Sequence, residues 1–251
     1  MRTAYGEAFA LRGDRYERSM ARSPDVRREE FAAMLGQLRP AAGECIVDVP
    51  SGGAYLRPLL PLDVRYVAVD ESPHFHSACH RRLLPGDSAL LAPSQKIPLP
   101  AHACDAVCSI AGLHHQSDRE PVYADWFRVL RPGGRVVLAD VAEGNPVAEF
   151  LNGFVDRYNS LGHDGLFITA RDSEALAAAG FRDIVVTDIN YQWLFRDLGH
   201  VAEFCVDLFG LDRVGAATAL CRTLQRDLGL RSGAAGWQLP WSLRYIEASK
   251  A

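Results

Sequence analysis

No apolar run in the 251-residue sequence approaches the roughly 20 residues that cross a bilayer. The N-terminal stretch MRTAYGEAFALRGDRYERS also lacks the apolar segment of a signal peptide. Both absences lead to the expectation of a soluble, cytoplasmic chain with no membrane partner. An excess of one charge is missing as well. Lys and Arg number 27 against 31 Asp and Glu, for a net charge of -4, and this gives no general reason to expect a nucleic-acid partner. Arginines do gather at Arg12, Arg15, Arg18, Arg22, Arg27 and Arg28, but acidic residues interleave with them. A solvated helical face is the expectation there. The cysteines Cys45, Cys79, Cys104, Cys108, Cys205 and Cys221 form no compact framework. Several fall in or beside predicted strands, where free cysteine packs as a small hydrophobe, so no disulfide is expected.

What is present is an ample apolar fraction, 48% of the residues, in a length that suits one large α/β domain. The stretch 14–38 reads as helical with a break at Ser23-Pro24-Asp25, and Phe31, Met34, Leu35 and Leu38 form one stripe. Cys45-Ile46-Val47-Asp48-Val49 then reads as a strand buried on both faces, followed by a glycine pair and a helix over about 54–60. Further strands are expected at 65–70, 89–92, 105–111, 135–140, 183–189 and 241–248. Helices are expected at 73–83, 118–130, 146–160, 171–178, 198–209 and 212–228. Strands alternating with helices indicate βαβ units and a mainly parallel sheet. After Gly180-Phe181 the alternation fails; the end reads as a β-hairpin whose connection has grown into a helical cap.

The first strand runs into Asp48-Val49-Pro50-Ser51-Gly52-Gly53-Ala54. A sharp turn over small residues lets a ligand approach the backbone and meet the amides of a helix N-terminus. Alone this is a common glycine turn. It gains meaning from Asp70, which ends the next strand, where a carboxylate can accept both hydroxyls of a ribose. A nicotinamide dehydrogenase would need Gly-x-Gly-x-x-Gly here, and Pro50-Ser51-Gly52-Gly53-Ala54-Tyr55 fails that spacing.

These residues resemble the class I S-adenosylmethionine-dependent methyltransferases, in particular the methyltransferase type 11 group, whose first motif is Asp-x-Gly-x-Gly-x-Gly. Pro50 stands for the first glycine, Gly52 for the second and Ala54 for the third. The resemblance continues in order over most of 44–190. Asp70-Glu71 matches the ribose-binding motif. Leu91 to Pro100 matches the third motif, with Pro93-Ser94 where an acid near the adenine amine is usual, so that Ser94 or Asp87 would have to serve. Asp105 to His115 matches the fourth strand and its loop. Leu130-Arg131-Pro132-Gly133-Gly134 before Arg135-Val136-Val137-Leu138 is the most specific match, and Ala179-Gly180-Phe181 the lead into the sixth strand.

The resemblance implies a Rossmann-like, mainly parallel, seven-stranded α/β sheet with helices on both faces, an antiparallel last strand and helical cap elements. It also implies a single methyltransferase domain: an N-terminal helical lid over 1–38, a cofactor-binding core over 39–194, a helical insertion over 195–236 and a final strand over 237–251. S-adenosylmethionine is the implied cofactor, held by Asp48, Pro50, Ser51, Gly52, Asp70, Glu71, Ser94, Ile110, Ala111 and His115. The implied function is methyl transfer to a small-molecule acceptor. A peptide or protein acceptor, or a module that binds the cofactor without transferring methyl, are the rival readings.

Methyl transfer from a sulfonium is an in-line displacement whose leaving group is a neutral thioether. Alignment can therefore supply most of the rate, and a base matters only for an acceptor that carries its proton. His114, beyond the fourth strand, and His163, in the turn Gly162-His163-Asp164-Gly165, are the candidate catalytic residues. His163 is read as an exposed imidazole with a pKa near neutrality, acting as base or acceptor-orienting group. His74, His76, Cys79 and His80 invite a metal reading, but they fall on what reads as an outer helix, and no metal site is expected. Aromatics at both ends of the chain, among them Tyr5, Phe9, Tyr16, Trp193, Phe209 and Trp241, suggest segments that close over a partly apolar acceptor.

Overall fold

Successive strand residues point to opposite faces of a sheet, and here both faces are apolar. Ile46, Tyr66, Ala68, Ala106, Cys108, Val137 and Ala139 join one buried cluster, while their neighbours Val47, Val67, Val69, Val107, Val136 and Leu138 join a second. A sheet buried this way must be covered by helices on each side. A computed structural model describes residues 5–234 and 236–251. Its strands are β1 (Cys45–Asp48), β2 (Arg65–Asp70), β3 (Ser88–Leu91), β4 (Cys104–Ile110), β5 (Leu130–Asp140), β6 (Arg182–Phe195), β7 (Arg231–Gly233) and β8 (Gly236–Ser249). Its helices are α1 (Tyr5–Arg22), α2 (Arg28–Leu38), α3 (Pro73–Cys79), α4 (Glu120–Val129), α5 (Pro146–Phe150), α6 (Asp156–Tyr158), α7 (Ala170–Ala178), α8 (Leu198–Leu208) and α9 (Ala217–Asp227).

The strands lie in the order β3-β2-β1-β4-β5-β8-β6, with the three-residue β7 paired only to β8. β1 to β5 pair in parallel, and β8 runs antiparallel between β5 and β6. The Rossmann-like α/β sheet with an antiparallel last strand is thus as expected, with β7 as an eighth, short addition. The hairpin of β6 and β8 is longer than expected. Its register continues from Ile189 with Leu243 out to Phe195 with Trp237.

Two local expectations fail. The helix expected over 54–60 shrinks to a single 3-10 turn, Arg57–Leu59. Pro58 and Pro61 limit its length, and Ala54 sits in the left-handed region at φ 59°. The ligand-facing end of β1 is therefore a turn of backbone amides and not a helix N-terminus. At the other end, the N-terminal helix begins at Tyr5 and not near residue 14. It crosses from α3 to α8 and lies over the carboxyl ends of the strands, held by Arg15 on Asp207 at 3.1 Å and by Arg81 on Glu17 at 2.8 Å.

Between β5 and α7 the chain makes the elements that carry the site. Asn145 caps α5 by accepting from the Val147 amide at 2.8 Å. A π-helical turn, Leu151–Val155, then separates α5 from α6; such turns are frequent at functional sites.

Candidate active site

In an open α/β sheet, ligands bind beyond the carboxyl ends of the strands, and the expected residues collect there. Asp48, Pro50, Ser51, Gly52, Ile110 and Ala111 line one cleft with Tyr5, Phe9, Tyr16 and Phe75 from α1 and α3. Gly52 has φ 53°, which suits glycine and aims its amide at Asp70. Asp48 is buried; Tyr66 donates its hydroxyl to one carboxylate oxygen at 2.5 Å, while Oδ1 has no partner. Burial pushes its pKa up to about 7 against the lowering effect of Tyr66 and Cys108.

Asp70 is buried at the end of β2. Its Oδ1 accepts from the Ser72 amide at 2.8 Å, and its Oδ2 from the Gly52 amide at 2.9 Å and the Tyr5 hydroxyl at 3.1 Å. Burial also raises this carboxyl to about 7, although the three hydrogen bonds pull it down. The N-terminal helix thus places a donor on the carboxylate expected to hold a ribose. Glu71 and His115 lie in a neighbouring opening with Tyr5 and Arg12.

The third-motif positions do not reach the cleft. Ser94 is buried in the turn after β3 and is absent from the lining. Asp87 is structural: its carboxylate pairs with buried Arg57 at 2.6 Å and accepts from the Tyr66 amide at 3.0 Å.

The two histidines singled out as catalytic come together. Ring centroids of His114 and His163 are 5.4 Å apart, and His115 lies 4.2 Å from the first and 5.6 Å from the second. His114 Nδ1 stands 2.8 Å from Asp140, whose other carboxylate oxygen accepts from the His114 amide at 2.9 Å. Burial raises the Asp140 carboxyl, but His114, Arg119 and the Val141 amide together outweigh it and hold the group below the usual carboxylate range. The exposed turn expected around His163 is instead packed inward, leaving the side chain 8% exposed. Its Nδ1 is 3.0 Å from Asn152 Oδ1 in the π turn. Burial, then His114 and Arg12, push His163 well below the usual imidazole pKa, so it is not a group titrating near neutrality. Burial, His114, His163 and Arg12 do the same to His115.

Around this cluster lies an aromatic chamber that shares Phe9, Tyr16, Arg27 and Ala111 with the cofactor-side cleft. Trp193 and Trp241 stack at 4.2 Å on its wall, with Phe209 beside them. Arg12 and Arg27, expected on a solvated face, both turn into this chamber. Arg27 pairs with the fully buried Glu30, which also accepts from the Trp193 indole at 2.9 Å. Arg12 places its guanidinium 4.4 Å from the Phe9 ring, and its buried Nε has no partner. Burial lowers its pKa to about 10, leaving it cationic at neutral pH. His76 and His80 sit apart on α3, rings 5.5 Å from each other.

Asp140 and Asn152 were missed by sequence reasoning. An acidic residue closing β5 and an amide in a helix are unremarkable without knowledge of what folds back onto them. Among known proteins, the general model of a methyltransferase domain matches residues 47–138. That match covers the segment from β1 to β5 and carries the likeness to the methyltransferase type 11 group. A curated relative, O-methyltransferase cnsE of Penicillium expansum, is 26% identical over 66% of this chain and 65% of its own length. The chain spans just under two thirds of that relative. Among solved structures, the chain bound to the Haloferax volcanii Trm112 methyltransferase activator aligns with a TM-score of 0.67 at 18% identity, over 99% of this chain and 98% of that one. Geranyl diphosphate C-methyltransferase of Streptomyces coelicolor A3(2), solved with Mg2+, geranyl diphosphate and S-adenosyl-L-homocysteine, gives 0.61 at 13%, over 94% and 84%. At such identities these two structures bear on the fold alone. Among the described residues, no helix is long and apolar enough to cross a membrane.

Proposed function

We propose that this methyltransferase moves the methyl group of S-adenosylmethionine to a small, partly aromatic acceptor. The carrying observation is that the cleft of Asp48 and Gly52 adjoins the chamber of His114, His163, Trp193 and Trp241, with Phe9, Tyr16, Arg27 and Ala111 lining both. When bound, the cofactor supplies an electrophilic methyl group and departs as a neutral thioether, so no residue has to protonate the leaving group. The residues present suit it: Asp70 offers a ribose acceptor, and Asp48 lines the neighbouring cleft with its Oδ1 unpartnered, an acceptor that an ammonium group would satisfy.

On the acceptor side, the stacked indoles give a flat group an apolar wall. The bond to Asp140 keeps the ring proton of a neutral His114 on Nδ1, and the Asn152 carbonyl does the same for His163. The Nε2 lone pairs of both rings are then free for the acceptor's reacting group. Arg12 adds a cation for an acidic acceptor, such as one bearing a phenolate or carboxylate. Helices α1 and α8 cover this chamber and are the substrate-selecting part of the chain; the core that they cover binds the cofactor.

Two measurements test the reading. Calorimetry should show S-adenosylmethionine binding in the micromolar range, and a screen of extracts should place labelled methyl in a small-molecule fraction. Absence of binding at high micromolar cofactor overturns the cofactor assignment. Label confined to macromolecules overturns the acceptor class.

A further inference from the structure

Three imidazoles converge in this chamber, and three imidazoles around an open space form a ligand set for a transition-metal ion as well as an acid–base group. One ring nitrogen each of His114, His115 and His163 lies within 4.8 Å of the other two. We propose that these histidines form a three-coordinate protein site for a divalent first-row transition-metal ion of the zinc type, with its remaining position open to the acceptor. The proposal deepens the acceptor-site reading above, on which the assignment of the open position rests; the ion site itself rests on the histidine geometry.

Metal-binding histidines almost always donate their second ring nitrogen to a carboxylate or carbonyl oxygen, which fixes the ring and its tautomer. Two of the three do so here. His114 Nδ1 faces Asp140 at 2.8 Å, and Asp140 is itself held by the His114 and Val141 amides at 2.9 and 2.8 Å. His163 Nδ1 faces Asn152 Oδ1 at 3.0 Å. That oxygen is an acceptor, because it takes the Gly165 amide at 2.7 Å while the Asn152 amino group donates to the Gly165 carbonyl at 2.9 Å. Each ring is therefore a donor at Nδ1 and presents Nε2 as a lone pair. The π turn carrying Asn152 and the loop carrying His163 are tied together by these bonds, and Leu166 donates to the His114 carbonyl at 2.8 Å. The three rings sit on one braced unit.

The spacing fits an ion-free site. A tetrahedral ion with bonds of about 2.1 Å separates its ligands by about 3.4 Å. Ring nitrogens within 4.8 Å of one another close on it by small side-chain rotations. Three protein ligands with a fourth position facing a cavity is the arrangement of catalytic zinc, whereas structural zinc is closed by four. Arg12 lines the same chamber and opposes a bare cation. Its charge, with that of the ion, favours an anionic fourth ligand, so the acceptor oxygen is a phenolate, carboxylate or other acidic hydroxyl. Nothing comparable assembles on α3, where His76 and His80 stand without a third ligand among the described residues.

The test is direct metal binding without cofactor or acceptor. The chelator-treated protein is titrated with Co2+, with the visible d–d absorption and the bound metal per chain as readouts. About one equivalent with tetrahedral-type bands is expected. His115→Ala removes a ligand while leaving the Asp140 and Asn152 bonds intact, and should weaken Co2+ at least 100-fold with an unchanged thermal midpoint. Asn152→Ala should weaken it 10–100-fold, the usual effect of losing a ligand's supporting bond. His76→Ala should change nothing. Less than a tenth of an equivalent bound to the wild-type protein overturns the site, and so does unchanged Co2+ affinity in His115→Ala. Calorimetry with S-adenosylmethionine on the metal-free protein reads the cofactor assignment separately, so either assignment can fail while the other stands.

Discussion

The hydroxyl of Tyr5 lies 3.1 Å from Oδ2 of Asp70, the oxygen that also takes the Gly52 amide at 2.9 Å. A residue at the start of the N-terminal helix thus occupies the carboxylate that a ribose would use. On the proposed ribose role of Asp70, the Tyr5 hydroxyl competes with the cofactor for this carboxylate. Tyr5→Phe should therefore tighten S-adenosylmethionine binding severalfold by removing a competing donor, and speed proteolysis of the free protein near its N-terminus. Weaker cofactor binding in the variant would show that Tyr5 assists the ribose and does not compete with it.

Asp48 links folding to pH. An acid whose pKa is raised to about 7 binds its proton more tightly folded than unfolded. It therefore takes stability away as pH climbs from about 4 through 7. Asp48→Asn keeps the shape and cannot ionise. Its unfolding free energy should rise relative to that of wild type between pH 5 and pH 8, measured by urea denaturation. A constant difference across that range would mean that Asp48 does not titrate near neutrality.

Replacing His163 with alanine removes an acceptor-side ring without touching Asp70 or Gly52. Turnover should fall at least 100-fold, in line with the effect of losing a positioned acid–base or ligand group, while the cofactor Kd stays within about threefold. Equal turnover would remove His163 from the mechanism.

Glu30 is fully buried and holds both Arg27 and the Trp193 indole. Glu30→Ala strands a buried guanidinium, which costs about 3–5 kcal/mol when one partner of such a pair is lost. Equilibrium denaturation should show a loss of that size. A change under about 1 kcal/mol would mean that Arg27 finds another partner or water.

Much of the nucleotide-binding core was legible in advance. Strands buried on both faces leave continuous β-branched runs, and the turn residues that punctuate them, Gly52 and Pro132-Gly133-Gly134, serve backbone needs that few other residues meet. The helix after β1 was misread because apolar spacing says nothing about a left-handed Ala54 or about prolines that stop a turn early. Arg12 and Arg27 were misread for a related reason. Periodicity identifies a polar stripe but not what covers it, and here α8 and the β6–β8 hairpin enclose Arg12 and Arg27.

The sequence by itself determined the α/β alternation, the acidic strand ends Asp48 and Asp70, and hence the resemblance to the methyltransferase type 11 group. These are local, since each follows from a few consecutive residues and the backbone geometry they favour. Only the tertiary structure decided the acceptor side. His114 and His163 meet because the chain after the π turn folds back over the end of β4, and Asp140 and Asn152 hold the two rings in place. Those bonds join separate segments of the chain, and burial then lowers the pKa of His115 and His163 beside them. No pattern of neighbouring residues encodes that meeting; it exists only once the sheet has closed beneath it.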